Sequence, residues 1–278
     1  MNQILRQGLL VASFAVLPLF LGGCKGLRQI RELRPDGLAT LASDHLEIQG
    51  EEITGDRRTA VDVENLNGSV TILVSDRYKK ASVYARANWR AGMSDEEWED
   101  VGNERWVVAE HVIEGENSVL RVLSQAAPDM DPPVRTEIKI LMPACDGVFV
   151  RNAGGYVTVV GAGGAHTIAS GFELGSGGHI EVRTSRAISD PISLRTSSGA
   201  VNLVLAPNSG GLIDVQTDDG RVAFGSKYGR LTNVRVEEER WTGTWNGQSN
   251  PIVLRTLDGD ARLRVEEKPE MFSTGLRW

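Results

Sequence analysis

Two pairs of carboxylates are placed where they could do chemistry. Asp218 and Asp219 share one turn, and Asp258 and Asp260 share the equivalent turn of a later copy of the same phrase. Stacked one above the other, such side chains could hold Ca²⁺ through oxygen ligands. They could also form the acidic cluster of a polysaccharide-cleaving enzyme, with Asp219 and Asp258 facing one groove. Asp before Gly is equally the ordinary chemistry of a turn, and that reading is favoured. The nonapeptide repeat that binds calcium is absent. Trp241 and Trp245, four apart, would share one face of a strand and offer paired aromatic surface to a sugar ring or a protein partner. Burial against the side of the fold is the competing expectation for them, and the stronger one. Asp219, Asp258, Trp241 and Trp245 are thus the candidate ligand surface, and no residue is assigned a catalytic role.

Other reactive types carry less. The four histidines, His45, His111, His166 and His179, form no close pair with ligand spacing and have no cysteine cluster beside them, so no metal or cofactor is expected. The run Gly161-Ala-Gly163-Gly164 follows a strand, as a dinucleotide-binding turn would. His166 stands where the third glycine belongs, however, and a corner between strands is expected instead. There is no Gly-x-Ser-x-Gly elbow, and Ser176, Ser197 and Ser198 fall in turns, where small polar residues belong. Of the two cysteines, Cys145 has no intramolecular partner and reads as a small buried hydrophobe.

Cys24 has a different chemistry. Arg6 supplies positive charge, Gly8 to Leu21 is an apolar run, and the run ends in Leu21-Gly22-Gly23-Cys24. The run is shorter than the roughly 18 to 20 residues that span a bilayer, so 1–23 is expected to be a secretory signal peptide. Its ending resembles a bacterial lipobox, which implies lipidation of Cys24 and anchoring in a membrane of the cell envelope. Lys25 after the cysteine suggests, by the same resemblance, the outer membrane. Residues 24–45 carry Lys25, Arg28, Arg31 and Arg34 with few large apolar residues and are expected to be a tether. The net charge of -7 over 278 residues argues against nucleic acid as a partner.

The elements that would position these groups follow from a repeated phrase. It reads apolar-x-apolar, then Thr or Asn with two small or polar residues, then Gly, then x-apolar-x-apolar. Copies run through Val61, Val63, Asn65, Gly68, Val70 and Ile72; Val148, Val150, Asn152, Gly155, Val157 and Val159; and Ile192, Leu194, Thr196, Gly199, Val201 and Leu203. Two more run through Ile213, Val215, Thr217, Gly220, Val222 and Phe224, and through Ile252, Leu254, Thr256, Gly259, Ala261 and Leu263. A shortened copy runs through Phe172, Leu174, Gly178, Ile180 and Val182. Apolar residues two apart point to one side of a strand, so each copy predicts two short strands with a glycine corner. A single copy cannot bury its apolar face, whereas stacked copies can. The expected fold is all-β: a parallel β-solenoid, read as a right-handed β-helix, over 146–267. A β-rich region over 46–145 precedes it, with one short helix opened by the capping box Ser94-Asp-Glu-Glu97 and the staple pair Met93 and Trp98. Residues 230–251 would add a further strand pair, and 268–278 a tail that caps one end.

Several of these features together resemble a bacterial family: Val63-Glu-Asn-Leu-Asn-Gly-Ser-Val-Thr-Ile, the charged helix after Trp89, Ser118-Val-Leu-Arg-Val, the strand ending Leu141-Met-Pro-Ala, and then the glycine-cornered copies. The family is the adhesin-like β-solenoid domain found on secreted proteins and lipoproteins. The resemblance covers about 46–267 and implies a fold and a display role, with no catalytic residues. The leading expectation is therefore a membrane-anchored structural or binding module that meets an envelope protein or glycan. A glycan-acting β-helix enzyme and an assembly or signalling partner of other envelope proteins are the alternatives.

Overall fold

The computed structural model describes residues 44–47, 58–88, 107–114, 116–124, 135–171 and 177–271. The signal peptide, Cys24 and nearly all of the tether lie outside them, as do the expected helix at Ser94 and the residues Phe172 and Leu174.

The chain opens with β1 (Asp44–Glu47), which begins within the expected tether, and then forms a first strand pair, β2 (Arg58–Asn65) and β3 (Val70–Val74). β4 (Ser82–Asn88) and β5 (Val107–Glu114) precede the second pair, β6 (Asn117–Ser124) and β7 (Arg135–Met142). Four pairs follow: β8 (Asp146–Asn152) with β9 (Val157–Val160), β10 (Gly163–Ser170) with β11 (Ile180–Thr184), β12 (Ile192–Thr196) with β13 (Val201–Leu205), and β14 (Gly211–Asp219) with β15 (Val222–Ser226). An antiparallel hairpin, β16 (Leu231–Val236) and β17 (Arg240–Trp245), separates these from a last pair, β18 (Pro251–Asp258) with β19 (Ala261–Val265). The described residues are thus all-β, arranged in two large mixed sheets that do not close into a barrel.

Each pair contributes its first strand to a ten-stranded sheet and its second to a nine-stranded one. The first strands lie in the order β14, β18, β12, β10, β8, β2, β6, and the second strands in the matching order β15, β19, β13, β11, β9, β3, β7. These neighbours are all parallel, and the sheets continue across the expected boundary at 145–146. The order departs from the chain at both ends, because β2/β3 lies inside β6/β7 and β18/β19 lies inside β14/β15. The hairpins explain this. β5 is joined to β6 by a short turn and takes its outer edge, while β17 takes the outer edge of β14. An edge already filled by an antiparallel strand has no backbone groups left for a parallel one, so these pairs must be terminal and their chain neighbours move inward. Residues 230–251 are therefore not another stacked pair but a hairpin lying wholly in the ten-stranded sheet.

The register brings the apolar positions into columns. Val61, Val148, His166, Ile192, Ile252 and Ile213 align, and so do Val63, Val150, Ile168, Leu194, Leu254 and Val215. The copy read from Phe172 and Leu174 in fact uses β10, where His166 sits in an apolar column and hides the periodicity. Beyond the apolar columns lies a buried polar one, Asn65, Asn152, Ser170, Thr196, Thr256 and Thr217. Asn65 Nδ2 donates to Asn152 Oδ1 at 3.0 Å, and Asn152 Nδ2 donates to the Gly154 carbonyl at 2.9 Å. Thr196, Thr217 and Thr256 donate to the carbonyls of Gly178, Gly259 and Gly199 at 2.7, 2.8 and 2.8 Å. Bonded in this way, these Asn and Thr side chains avoid the desolvation cost of a buried polar group, whereas the buried Ser170 hydroxyl has no hydrogen-bond partner among the described residues. The corner glycines are required by contact as well as by dihedral angle. Gly155 has φ +94, and a Cβ there would overlap the Gly68 carbonyl oxygen of the pair stacked against it.

Candidate binding groove

The candidate residues named from the sequence separate into two groups. Asp219 and Asp258 align on β14 and β18 and are exposed. Their backbone carbonyls accept the Gly259 and Gly199 amides at 2.7 and 2.6 Å, which is corner bonding. Asp260 accepts the Arg221 amide at 3.0 Å and pairs with Arg262. Among the described residues no three His, Cys, Asp or Glu side chains are placed to share a metal ion.

Trp241 and Trp245 do not form a ligand surface. They are 8% and 0% exposed. β17 pairs with β14 so that Trp241 aligns with the buried Val215, which turns both rings toward the core. Trp241 stacks on Phe224 with centroids 4.6 Å apart and planes at 10°, closing the end of the stack. Cys145 is buried, its thiol pushed up to about 12 by loss of solvent, and its Sγ donates to the Gly147 carbonyl at 3.2 Å. His166 is also buried, which lowers its pKa to about 4, with Nδ1 3.0 Å from the Gly164 carbonyl.

A site that the sequence reading did not single out lies on the outer face of the nine-stranded sheet. There a groove of about 440 Å³ crosses β7, β3, β9 and β11. Its floor is a row of outward positions in register, Lys139, Thr71, Thr158 and Glu181. These alternate with the apolar columns, so the pleat that buries Ile72, Val159 and Val182 turns this row to the outer face, where Lys139 is exposed, Thr71 half-buried, and Thr158 and Glu181 lie deep in the groove. Beside the row stand Tyr156 and His179, each immediately after a corner glycine and so in successive positions of one outward column. Their rings stack with centroids 5.2 Å apart and planes at 16°. The Ala200 amide donates to His179 Nδ1 at 2.7 Å, which fixes the ring and places the proton of the neutral imidazole on Nε2. Tyr156 remains 46% exposed.

Glu181 is only 4% exposed. Arg183 Nε lies 3.1 Å from its Oε1, off the line of a hydrogen bond, so the two are held by charge. Just past the end of β11, Glu270 accepts from the Ser185 hydroxyl at 2.6 Å and the Ser185 amide at 3.2 Å. The described part of the C-terminal tail therefore packs on β11 and β13, in the middle of the sheet and not over an end. The groove was hidden because its signal lies across copies: no single copy contains it, but the residue after each corner glycine, read down the stack, gives Ser69, Tyr156 and His179.

No protein-family model matches the sequence, and no curated protein matches it. Among solved structures, the chain is similar to one from Clostridium sporogenes described as a "putative cell adhesion protein". The TM-score is 0.54 at 10% identity, over 82% of this chain and 100% of that one. A Bacteroides fragilis structure described as a "putative adhesin" aligns at TM-score 0.24 and 9% identity, over 82% of this chain and 97% of that one. The Clostridium likeness shows a shared all-β fold.

Proposed function

We propose that the protein is a lipoprotein of the cell envelope, anchored through Cys24, that displays an adhesin-like β-solenoid as a binding surface. The observation that carries this reading is the division of the structure: the repeated apolar, glycine and Asn/Thr columns are consumed in the stack, while the outer face of one sheet holds a shaped groove with both apolar and polar lining. In-register parallel stacking of seven strand pairs (β2/β3, β6/β7, β8/β9, β10/β11, β12/β13, β14/β15 and β18/β19) supports reading the two sheets as the walls of a solenoid. The adhesion description of the Clostridium structure is consistent with display, and Lys25 after the cysteine supports the outer membrane over the inner as the anchor's site. The protein binds and does not cleave. Mass spectrometry of the purified protein's N-terminal peptide tests the anchor, which requires a chain beginning at an acylated Cys24. A chain beginning at Met1, or at an unmodified Cys24, would reject it.

The enzyme reading keeps one observation, the side-by-side placement of exposed Asp219 and Asp258. Polysaccharide cleavage that is lost on Asp219→Asn with Asp258→Asn would establish it in place of binding; no cleavage is expected from the wild type.

A further inference from the structure

We infer that the groove over β7, β3, β9 and β11 is a saccharide-binding site that takes a flat, β-linked glycan chain laid across the strands, with one sugar ring on Tyr156. The inference rests on the display reading and gives its surface a ligand class. Four features of the groove select that class. The exposed Tyr156 ring is held flat by the stacked His179 behind it, so it can offer an apolar face to the C–H side of a pyranose without first being ordered. The floor runs from a donor to an acceptor: the Lys139 ammonium, then the Thr71 and Thr158 hydroxyls, which can do both, then the Glu181 carboxylate. Their spacing is that of adjacent strands, about 4.8 Å, close to the length of one sugar unit.

The third feature excludes a peptide strand. β7, β3, β9 and β11 are each paired on both sides, so their backbone groups are already used and a peptide has no edge to extend. The fourth excludes a nucleic-acid backbone, because Glu137 and Glu181 both line the groove and would repel phosphates. Glu181, nearly buried and held by Arg183, is fixed in place as an acceptor for sugar hydroxyls; such a carboxylate forms stronger hydrogen bonds than a neutral group.

The test is calorimetric titration of the full chain carrying Cys24→Ala, with chitohexaose and cellohexaose as probes. Saturable binding of at least one probe is expected. Tyr156→Ala should weaken it about tenfold, the loss of one stacking contact, while Tyr156→Phe should keep it within about twofold. Glu181→Gln should also weaken binding, with thermal unfolding of each variant confirming that the fold is intact. No binding of either probe, binding indifferent to Tyr156→Ala, or binding only of a tryptic peptide pool would overturn the proposal. Because this protein lacks the anchor, the result is independent of whether Cys24 is acylated, so failure of the site and failure of the anchor can be told apart.

Discussion

At the scale of single residues, the structure turns on positions where one side chain breaks a column. His166 stands between Val148 and Ile192 in an apolar column, fully buried. Its pKa falls from 6.5 to about 4 on folding because burial disfavours the charged ring. The unfolded chain therefore binds the extra proton between these values, so stability is full above pH 6.5 and declines as the pH falls toward 4. The loss is on the order of 3 kcal/mol, from about 1.4 kcal/mol per unit. His166→Leu should flatten this slope in denaturant melts taken from pH 7 to 4. Gly155→Ala should lower stability by about 1–3 kcal/mol, measured the same way, because the new Cβ meets both an unfavourable φ and the Gly68 carbonyl. The glycine and apolar columns were legible in the sequence because their spacing repeats. β10 was not, because a histidine in an apolar column has the composition of a turn and moved the expected strand to Phe172 and Leu174. Tyr156 and His179 were equally hidden, being a pair only when two copies are stacked.

At the scale of elements, the hairpin β16–β17 matters most. Asn246, in the left-handed region at φ 53, donates to the Pro207 and Ser209 carbonyls at 3.1 and 2.7 Å and accepts the Arg230 amide at 3.0 Å, tying the hairpin to the stack. Trp241 then covers Phe224. Trp241→Ala should cost about 3–5 kcal/mol in denaturant unfolding, as for large buried aromatics, and leave saccharide titrations unchanged. Deleting the hairpin should produce aggregates visible by light scattering, since it uncovers the edge of β14. The strand types and corners were legible, but the order of stacking was not. All copies present the same columns, so any copy could stack on any other. The choice is made by which strands are joined into hairpins, information held in the short connections at 115–116 and 237–239 and absent from the repeat itself.

At the scale of the whole molecule, the two sheets bury a continuous core and carry the groove on one outer face, and on the proposed reading lipidation of Cys24 would hold that face at a membrane. If the chain is anchored as proposed, the twenty or so residues after Cys24 could span at most about 60–70 Å between lipid and fold. On the proposed reading, lipidation would link the folded scaffold to its place of action. Acylation by more than one chain gives stable attachment, because each buried methylene contributes about 0.8 kcal/mol. The most direct test is fractionation of cells expressing the wild type and Cys24→Ala. The wild type should sediment with membranes and require detergent for release, and Cys24→Ala should move to the soluble fraction with an unchanged melting temperature once purified. Equal partitioning of the two proteins would contradict the account.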